Sequence, residues 1–476
     1  MSTSPELQTA HSARGSSRNE SPLGVGGEAD SVKRRVGASV WLMLVYVWYF
    51  VTTPDVRFRV LADIHFERVL VALIVLALLA GAKIPRRFGA TTWLFVVFFL
   101  WLTVSHAFSP YKNVPTAEWW AENYWKLLVF YFFLIYSIRS IHGLFVFAAG
   151  VCVISFFYQF HSWTDYVNGG SYVYQQGMKR IVGVWSGGGI GAANGFGLLG
   201  LFSLPFGIFW LKLTKRPRIR VGLVLYLATC FATVVFSGTR AAVLGAAVLL
   251  LLTFGRSILK LKVILSVVLI VAMVIPMLPE DLRHRYFDLI VTSSDDRGAA
   301  ESAEEQAADE IAKESAHNRV QGLIDGWNLF LKRPMIGYGP GTSGTARHEV
   351  NPSMGGEGDA DVLELHNLYG QVLSETGIVG TVLFLWLLLA ALAQIRSIRR
   401  RSLASSSRAS ITAACDLLQT SLLMMVFYGM FGHTLYRYYW VVLFAMQVAL
   451  LQVVAEAERR AAVGAATELD AVPRAL

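Results

Sequence analysis

The chain has 476 residues and a formal net charge of +9, with 54% hydrophobic and only 16% charged residues; its mean hydropathy is +0.49. Soluble domains carry about a quarter charged residues, whereas here the apolar residues arrive in blocks of roughly 15 to 25, enough to cross a hydrocarbon layer. An ordinary soluble enzyme, a disordered chain and a collagen-like chain are excluded.

Residues 1–35, rich in Ser, Gly and polar side chains, read as a disordered tail without the short apolar stretch of a secretory signal. Twelve apolar blocks follow, near 36–53, 66–82, 89–108, 125–138, 141–160, 187–211, 220–238, 240–255, 261–278, 372–393, 411–430 and 438–455. Runs such as Val69–Ala80 and Ala241–Leu252 are uniformly apolar. Membrane-spanning strands would alternate, so the blocks are predicted to be helices. The expected fold is therefore an all-α polytopic integral membrane protein of about twelve spans, nine within 36–278 and three within 372–455, with a short tail at 456–476. Cys152, Cys230 and Cys415 each lie in or beside an apolar block, without disulfide or metal-site spacing, and read as small buried residues.

Twelve spans put both termini on one side. With that side cytoplasmic, the cytoplasmic connections hold 22 Lys and Arg, and the short connections opposite hold 9. The positive-inside rule supports this orientation. The basic balance is thus a topology signal and gives no reason to expect nucleic acid. One long connection, 279–371, falls on the outer side, with 17 Asp and Glu against 8 Lys and Arg. Its stretch Ser293–Glu314 has no apolar stripe and reads as solvated helix or disorder. From Arg319 to Lys332, Val320, Ile324, Trp327 and Leu331 form one stripe of an amphipathic helix, ended by Pro334 and the glycines of 336–341. A second short helix is expected at 363–374, where Leu365, Leu368 and Val372 share a face. Both stripes are expected to press on the spans or the membrane interface.

A few polar positions stand out. Arg240 follows Ser237-Gly238-Thr239 between two apolar blocks; it either snorkels to the outer interface or clamps an anion at a helix N-terminus. Arg319, with a planar fork suited to phosphate, opens the loop helix. His366, in Glu364-Leu365-His366-Asn367, is either a general base or a surface or capping residue. His317 and His348 are weaker candidates. Lys179 and Arg180 before the sixth span, and His433 and Arg437 between the last two, are outer-face polar residues. Arg437, set among Tyr436, Tyr438, Tyr439 and Trp440, fits an aromatic belt or a further contact to an anionic head group. Asn194 is suited to bonding between helices. Walker A, His-Glu-x-x-His and Gly-x-Ser-x-Gly motifs are absent, so any chemistry would use a substrate already activated, such as a lipid-linked diphospho-sugar.

The Arg240 motif, the Arg319 helix with Trp327 and Pro334-x-x-Gly337-x-Gly339, and the block His366-Asn367…Glu375-x-Gly377-x-x-Gly380 together resemble the bacterial O-antigen ligase and polymerase superfamily. The resemblance is motif-specific over 183–205, 236–245 and 317–380. It implies an inner-membrane glycosyltransferase without nucleotide, required metal or other cofactor. Arg240 and Arg319 would hold an undecaprenyl diphosphate-linked donor, and His366 would act on the acceptor hydroxyl. Lys179, Arg180 and Arg437 are further substrate-binding candidates. The acceptor would be lipid A–core in a ligase, the growing glycan in a polymerase, or a protein hydroxyl in a third branch. A transporter without transfer chemistry is the rival expectation; it predicts inverted repeats, and no clear half-to-half pattern is present.

Overall fold

Three kinds of local signal set the helix boundaries in the computed structural model, which describes residues 36–81, 88–175, 178–184, 190–255, 279, 282–283, 303–352, 364–402 and 407–471. Prolines whose missing N–H is harmless at a first turn open α4 (Pro115–Ser137) and α7 (Pro217–Phe236). Side-chain caps open α5 (Ile141–Val167), where Ser140 Oγ accepts from Gly143 N, and α10 (Leu368–Arg401), where Asn367 Oδ1 accepts from the amides of Tyr369 and Gly370. A left-handed residue, Thr53, closes α1 (Ala38–Thr52). The other main helices are α2 (Phe66–Ala80), α3 (Ala90–Ala107), α6 (Ala193–Leu213), α8 (Arg240–Phe254), α9 (Ala303–Lys332), α11 (Arg408–Tyr428) and α12 (Tyr438–Ala471).

Eleven of the twelve apolar blocks coincide with these helices, and the block 261–278 lies outside the described residues. Among the described residues, seven helices, α3, α5, α6, α7, α10, α11 and α12, are long and apolar enough to cross a membrane. The chain is a polytopic α-helical membrane protein.

The centre of the bundle is α12, buried at nearly every position from Tyr438 to Leu450, and α6, buried at nearly every position from Phe196 to Gly207. A helix apolar on all sides belongs in a core. Close approach makes this possible: a Cβ on Gly200 would lie 2.9 Å from the Cys230 carbonyl oxygen of α7, and one on Gly207 would lie 2.6 Å from Leu227. All three cysteines are free and buried, as expected.

The antiparallel helices sort charge between two ends. At one end Lys212 and Arg399 both pair with Asp416, at 2.9 and 2.8 Å, and Arg401 pairs with Glu458. At the other end meet the N-termini of α6, α8, α10 and α12 and the C-terminus of α11. Here a hairpin, β1 (Tyr172–Gln175) and β2 (Met178–Ile181), pairs antiparallel with Gln175 opposite Met178. No hairpin was expected in this connection.

Three expectations change. The loop helix starts by Ala303, well before Arg319. The short helix expected at 363–374 and the tenth block are one element, α10, broken at Gly377 (φ 63°, ψ −167°). Leu365, Leu368 and Val372 are buried as foreseen. Of the two partners expected for the stripe Val320, Ile324, Trp327 and Leu331, the spans are not met: the stripe is exposed. The face of α9 turned inward carries Gly322, Asp325, Gly326 and Leu329 instead, because its glycines allow backbone contact that the larger apolar side chains would prevent.

Candidate active site

The site is built on the turn Ser237-Gly238-Thr239, where Gly238 takes φ 64° so that α8 can begin at Arg240. Buried Arg180 holds this turn. Its Nε donates to the Ser237 carbonyl at 2.7 Å, and its Nη2 donates to Asn194 Oδ1 at 2.7 Å and Thr239 Oγ1 at 3.3 Å. Asn194 thereby ties the start of α6 to the start of α8, the inter-helix role its chemistry suited. Arg180 Nη1 also donates to Gln175 Oε1 at 3.0 Å. Its fork is thus engaged at the turn that precedes Arg240.

A second assembly brings Arg319 to His366. A Cβ on Gly322 would lie 1.9 Å from the Leu365 carbonyl oxygen, and one on Gly326 would lie 2.5 Å from Gly370 Cα. Helix α9 therefore presses backbone to backbone on the segment that carries His366, with Arg319 one turn before Gly322. Beyond α9, the Pro334–Gly341 segment locks onto the Glu375–Gly380 block. The amide of Ile378 donates to Pro334 O at 2.7 Å, that of Tyr338 to Ser374 O at 2.8 Å, and that of Gly339 to Glu375 O at 2.9 Å. A Cβ at Gly377 would lie 2.5 Å from the Met335 carbonyl oxygen. The two glycine motifs are thus halves of one interlock. Gly377→Ala should destabilise the fold by at least ~2 kcal/mol, since left-handed strain alone costs about 1–3; an unchanged thermal unfolding midpoint in detergent would contradict the interlock.

Carboxylates stabilise the same region. Glu375, fully buried, accepts from Ser343 Oγ at 2.6 Å and Tyr436 Oη at 2.5 Å and does not pair with His366. Asp325 and Arg347, 1% and 0% exposed, form an ion pair at 2.6 Å, and Gln321 donates to the other Asp325 oxygen at 2.8 Å. Removing one partner of a buried pair costs about 3–5 kcal/mol, because the remaining charge stays desolvated, whereas replacing both by apolar groups costs far less. Asp325→Asn should therefore lower thermal stability more than Asp325→Leu combined with Arg347→Met. The reverse order, measured by thermal unfolding, would assign the pair a different role.

Between these assemblies lies a cavity lined by Asn194, Thr239, Ala241, Arg319, His366, Tyr428, His433, Thr434 and Arg437 among others. Arg240 stands between two lining residues, and its buried Nε has no hydrogen-bond partner among the described residues. His366 precedes α10, correcting its expected place on a helix, and holds a left-handed φ of 50°; non-glycine residues in this region are uncommon and concentrate at functional sites. Its ring lies 5.3 Å from that of His433.

Positive charge dominates the cavity. Burial lowers the Arg319 pKa, and Arg240 beside it lowers it further. Burial drives His366 down to about 3, helped by His433, Arg319 and Arg347. Burial and Arg437 take His433 to about 4. Both imidazoles are therefore neutral near pH 7, beside the guanidinium groups of Arg319 and Arg437. Burial raises the pKa of Glu364, and Arg437 counters that rise. Such a cavity can accept a multiply charged anion and a proton from a neighbouring hydroxyl.

Of the residues singled out in the sequence, Arg319, His366, His433 and Arg437 line the cavity, Arg240 stands between its lining residues Thr239 and Ala241, and Arg180 bonds the preceding turn. Lys179 is not among the lining residues: its Nζ lies over the Tyr172 and Tyr166 rings, 4.3 and 4.8 Å from their centroids. His348 lies apart, against Tyr111. The part of Tyr428, and of His433 as neighbour to His366, was not legible, because both are brought in only by the packing of α11 and α12.

Residues 223–385 match the O-antigen ligase family, a stretch that contains Arg240, Arg319, His366 and both glycine motifs. No curated protein matches the chain. The matched stretch spans elements that build this cavity, and over it the chain is similar to the O-antigen ligase family.

Proposed function

We propose that the protein transfers a glycan from a polyprenyl diphosphate, undecaprenyl diphosphate in bacteria, to a hydroxyl acceptor at the non-cytoplasmic face of the inner membrane, as an inverting glycosyltransferase with twelve spans and both termini cytoplasmic. One observation carries the reading: Arg319 and His366 line a single cavity at the N-terminus of α8, where Arg240 stands. In the proposed step the acceptor oxygen attacks C1 of the sugar and its proton passes to His366. The C1–O bond breaks, its electron pair stays on the diphosphate oxygen, and the growing charge there is met by Arg240 and Arg319. Attack from the side opposite the leaving group inverts C1. Arg437 faces the same anion, and Arg180 holds the turn that aims Arg240. The concentration of Lys and Arg at the opposite end of the bundle supports the orientation.

The acceptor is either lipid A–core, a growing glycan or a protein hydroxyl, and the three differ in what gains mass. Reconstitution with a polyprenyl diphosphate-linked oligosaccharide and each acceptor in turn should yield one acceptor heavier by the glycan. It should also release one polyprenyl diphosphate per transfer. Translocation of intact donor across the bilayer, with no acceptor gaining mass, would favour transport instead.

A further inference from the structure

The stripe on α9 is left uncovered: Val320, Leu323, Ile324, Trp327, Leu331 and the following Met335 are between 40% and 62% exposed. It cannot roll inward, because the opposite face is fixed backbone to backbone at Gly322 against Leu365 and at Gly326 against Gly370. In water a contiguous apolar face of this size is uncommon. We infer that this face is a membrane-contact surface, seated in the boundary between head groups and acyl chains of the phospholipid leaflet at the site end of the bundle.

Continuity with the spanning surface argues for lipid as the occupant. The Ile378 amide donates to Pro334 O at 2.7 Å, which sets Met335 against the Gly377–Ile378 backbone. From Ile378 the exposed row of α10 continues through Val382, Leu385, Trp386 and Leu389. Helix α10 is long and apolar enough to cross the bilayer, so that row faces acyl chains. The α9 stripe therefore extends a lipid-facing surface without a break. Trp327, whose ring lies 5.4 Å from that of Phe330, is the residue type that prefers the interfacial layer, and amphipathic helices bind there through such a face. Arg319, at the start of the same stretch, would then sit at head-group depth, at the level a membrane-tethered anion occupies. The membrane contact itself does not depend on transfer activity.

Spin labels on Val320→Cys, Ile324→Cys and Leu331→Cys, in nanodiscs of phosphatidylethanolamine and phosphatidylglycerol, test this directly. The native cysteines are buried, and three separate positions guard against one that disturbs folding. Leu389→Cys serves as the lipid reference and Arg400→Cys as the aqueous one. Collisions with oxygen should exceed those with a water-soluble nickel chelate at all three sites, with a ratio on the Leu389 side of the midpoint between references. A ratio like that of Arg400 would overturn the inference. So would low access to both probes, which would mean that protein covers the stripe.

Discussion

Arg240→Ala should slow glycan transfer by roughly 10²–10³-fold, the loss seen when one preorganised donor to a developing oxyanion is removed. The charge on the diphosphate grows as the C1–O bond breaks, so a guanidinium aimed at it stabilises the transition state more than the bound donor. Arg240 suits this task because three features aim it: the left-handed Gly238, the Arg180 bonds to Ser237 and Thr239, and the N-terminal position on α8, whose free amides also favour an anion. Arg240→Lys should recover part of the rate, since it restores charge without the two-pronged geometry. The check is initial rate in proteoliposomes with saturating acceptor; a rate for Arg240→Ala within a few-fold of wild type would remove it from the clamp.

His366→Ala should lower kcat by about 10²–10⁴-fold, the usual contribution of a positioned general base, while donor affinity changes only a few-fold. The pH dependence has a defined sign. With its pKa held down to about 3 by burial and by His433, Arg319 and Arg347, His366 is the neutral, proton-accepting form across the physiological range, and activity is lost only as pH falls through that value. A bound diphosphate favours the imidazolium and raises the pKa. Because kcat/KM reports the free enzyme and kcat the complex, the acid limb of kcat should lie at higher pH than that of kcat/KM. His366→Gln should lose this displaced limb. Limbs that coincide, or a donor affinity that falls as far as kcat, would make His366 a binding or structural residue.

Much of the fold was legible because a membrane protein writes its helices as composition: eleven apolar blocks appear as helices, and Arg319, His366 and Arg437 line one cavity, with Arg240 between its lining residues Thr239 and Ala241. What was not legible depends on packing. Residues 303–318 carry no apolar stripe, so their helix, rich in the strong helix formers Ala and Glu, could not be separated from a solvated loop. The inward face of α9 was not legible because hydrophobicity marks burial only where side chains fill the contact; at Gly322 and Gly326 two backbones meet instead. The same applies to Gly337 and Gly377, whose spacing was visible but whose mutual interlock was not. The bonds Arg180 makes to Gln175, Asn194, Ser237 and Thr239 could not be read from the sequence. A sequence shows a charge but not the carbonyls folded around it.

Both arginines are proposed to act on one anion, so removing both should be severe. A charge-assisted hydrogen bond contributes about 1.5–3 kcal/mol, and two such contacts correspond to roughly 10²–10⁴-fold in affinity. Equilibrium binding of polyprenyl diphosphate without sugar, to wild type and to Arg240→Ala/Arg319→Ala in the same nanodiscs, isolates this contact from acceptor and chemistry. Affinity should fall by at least about 100-fold in the double variant; binding as tight as wild type would show that the diphosphate is held elsewhere.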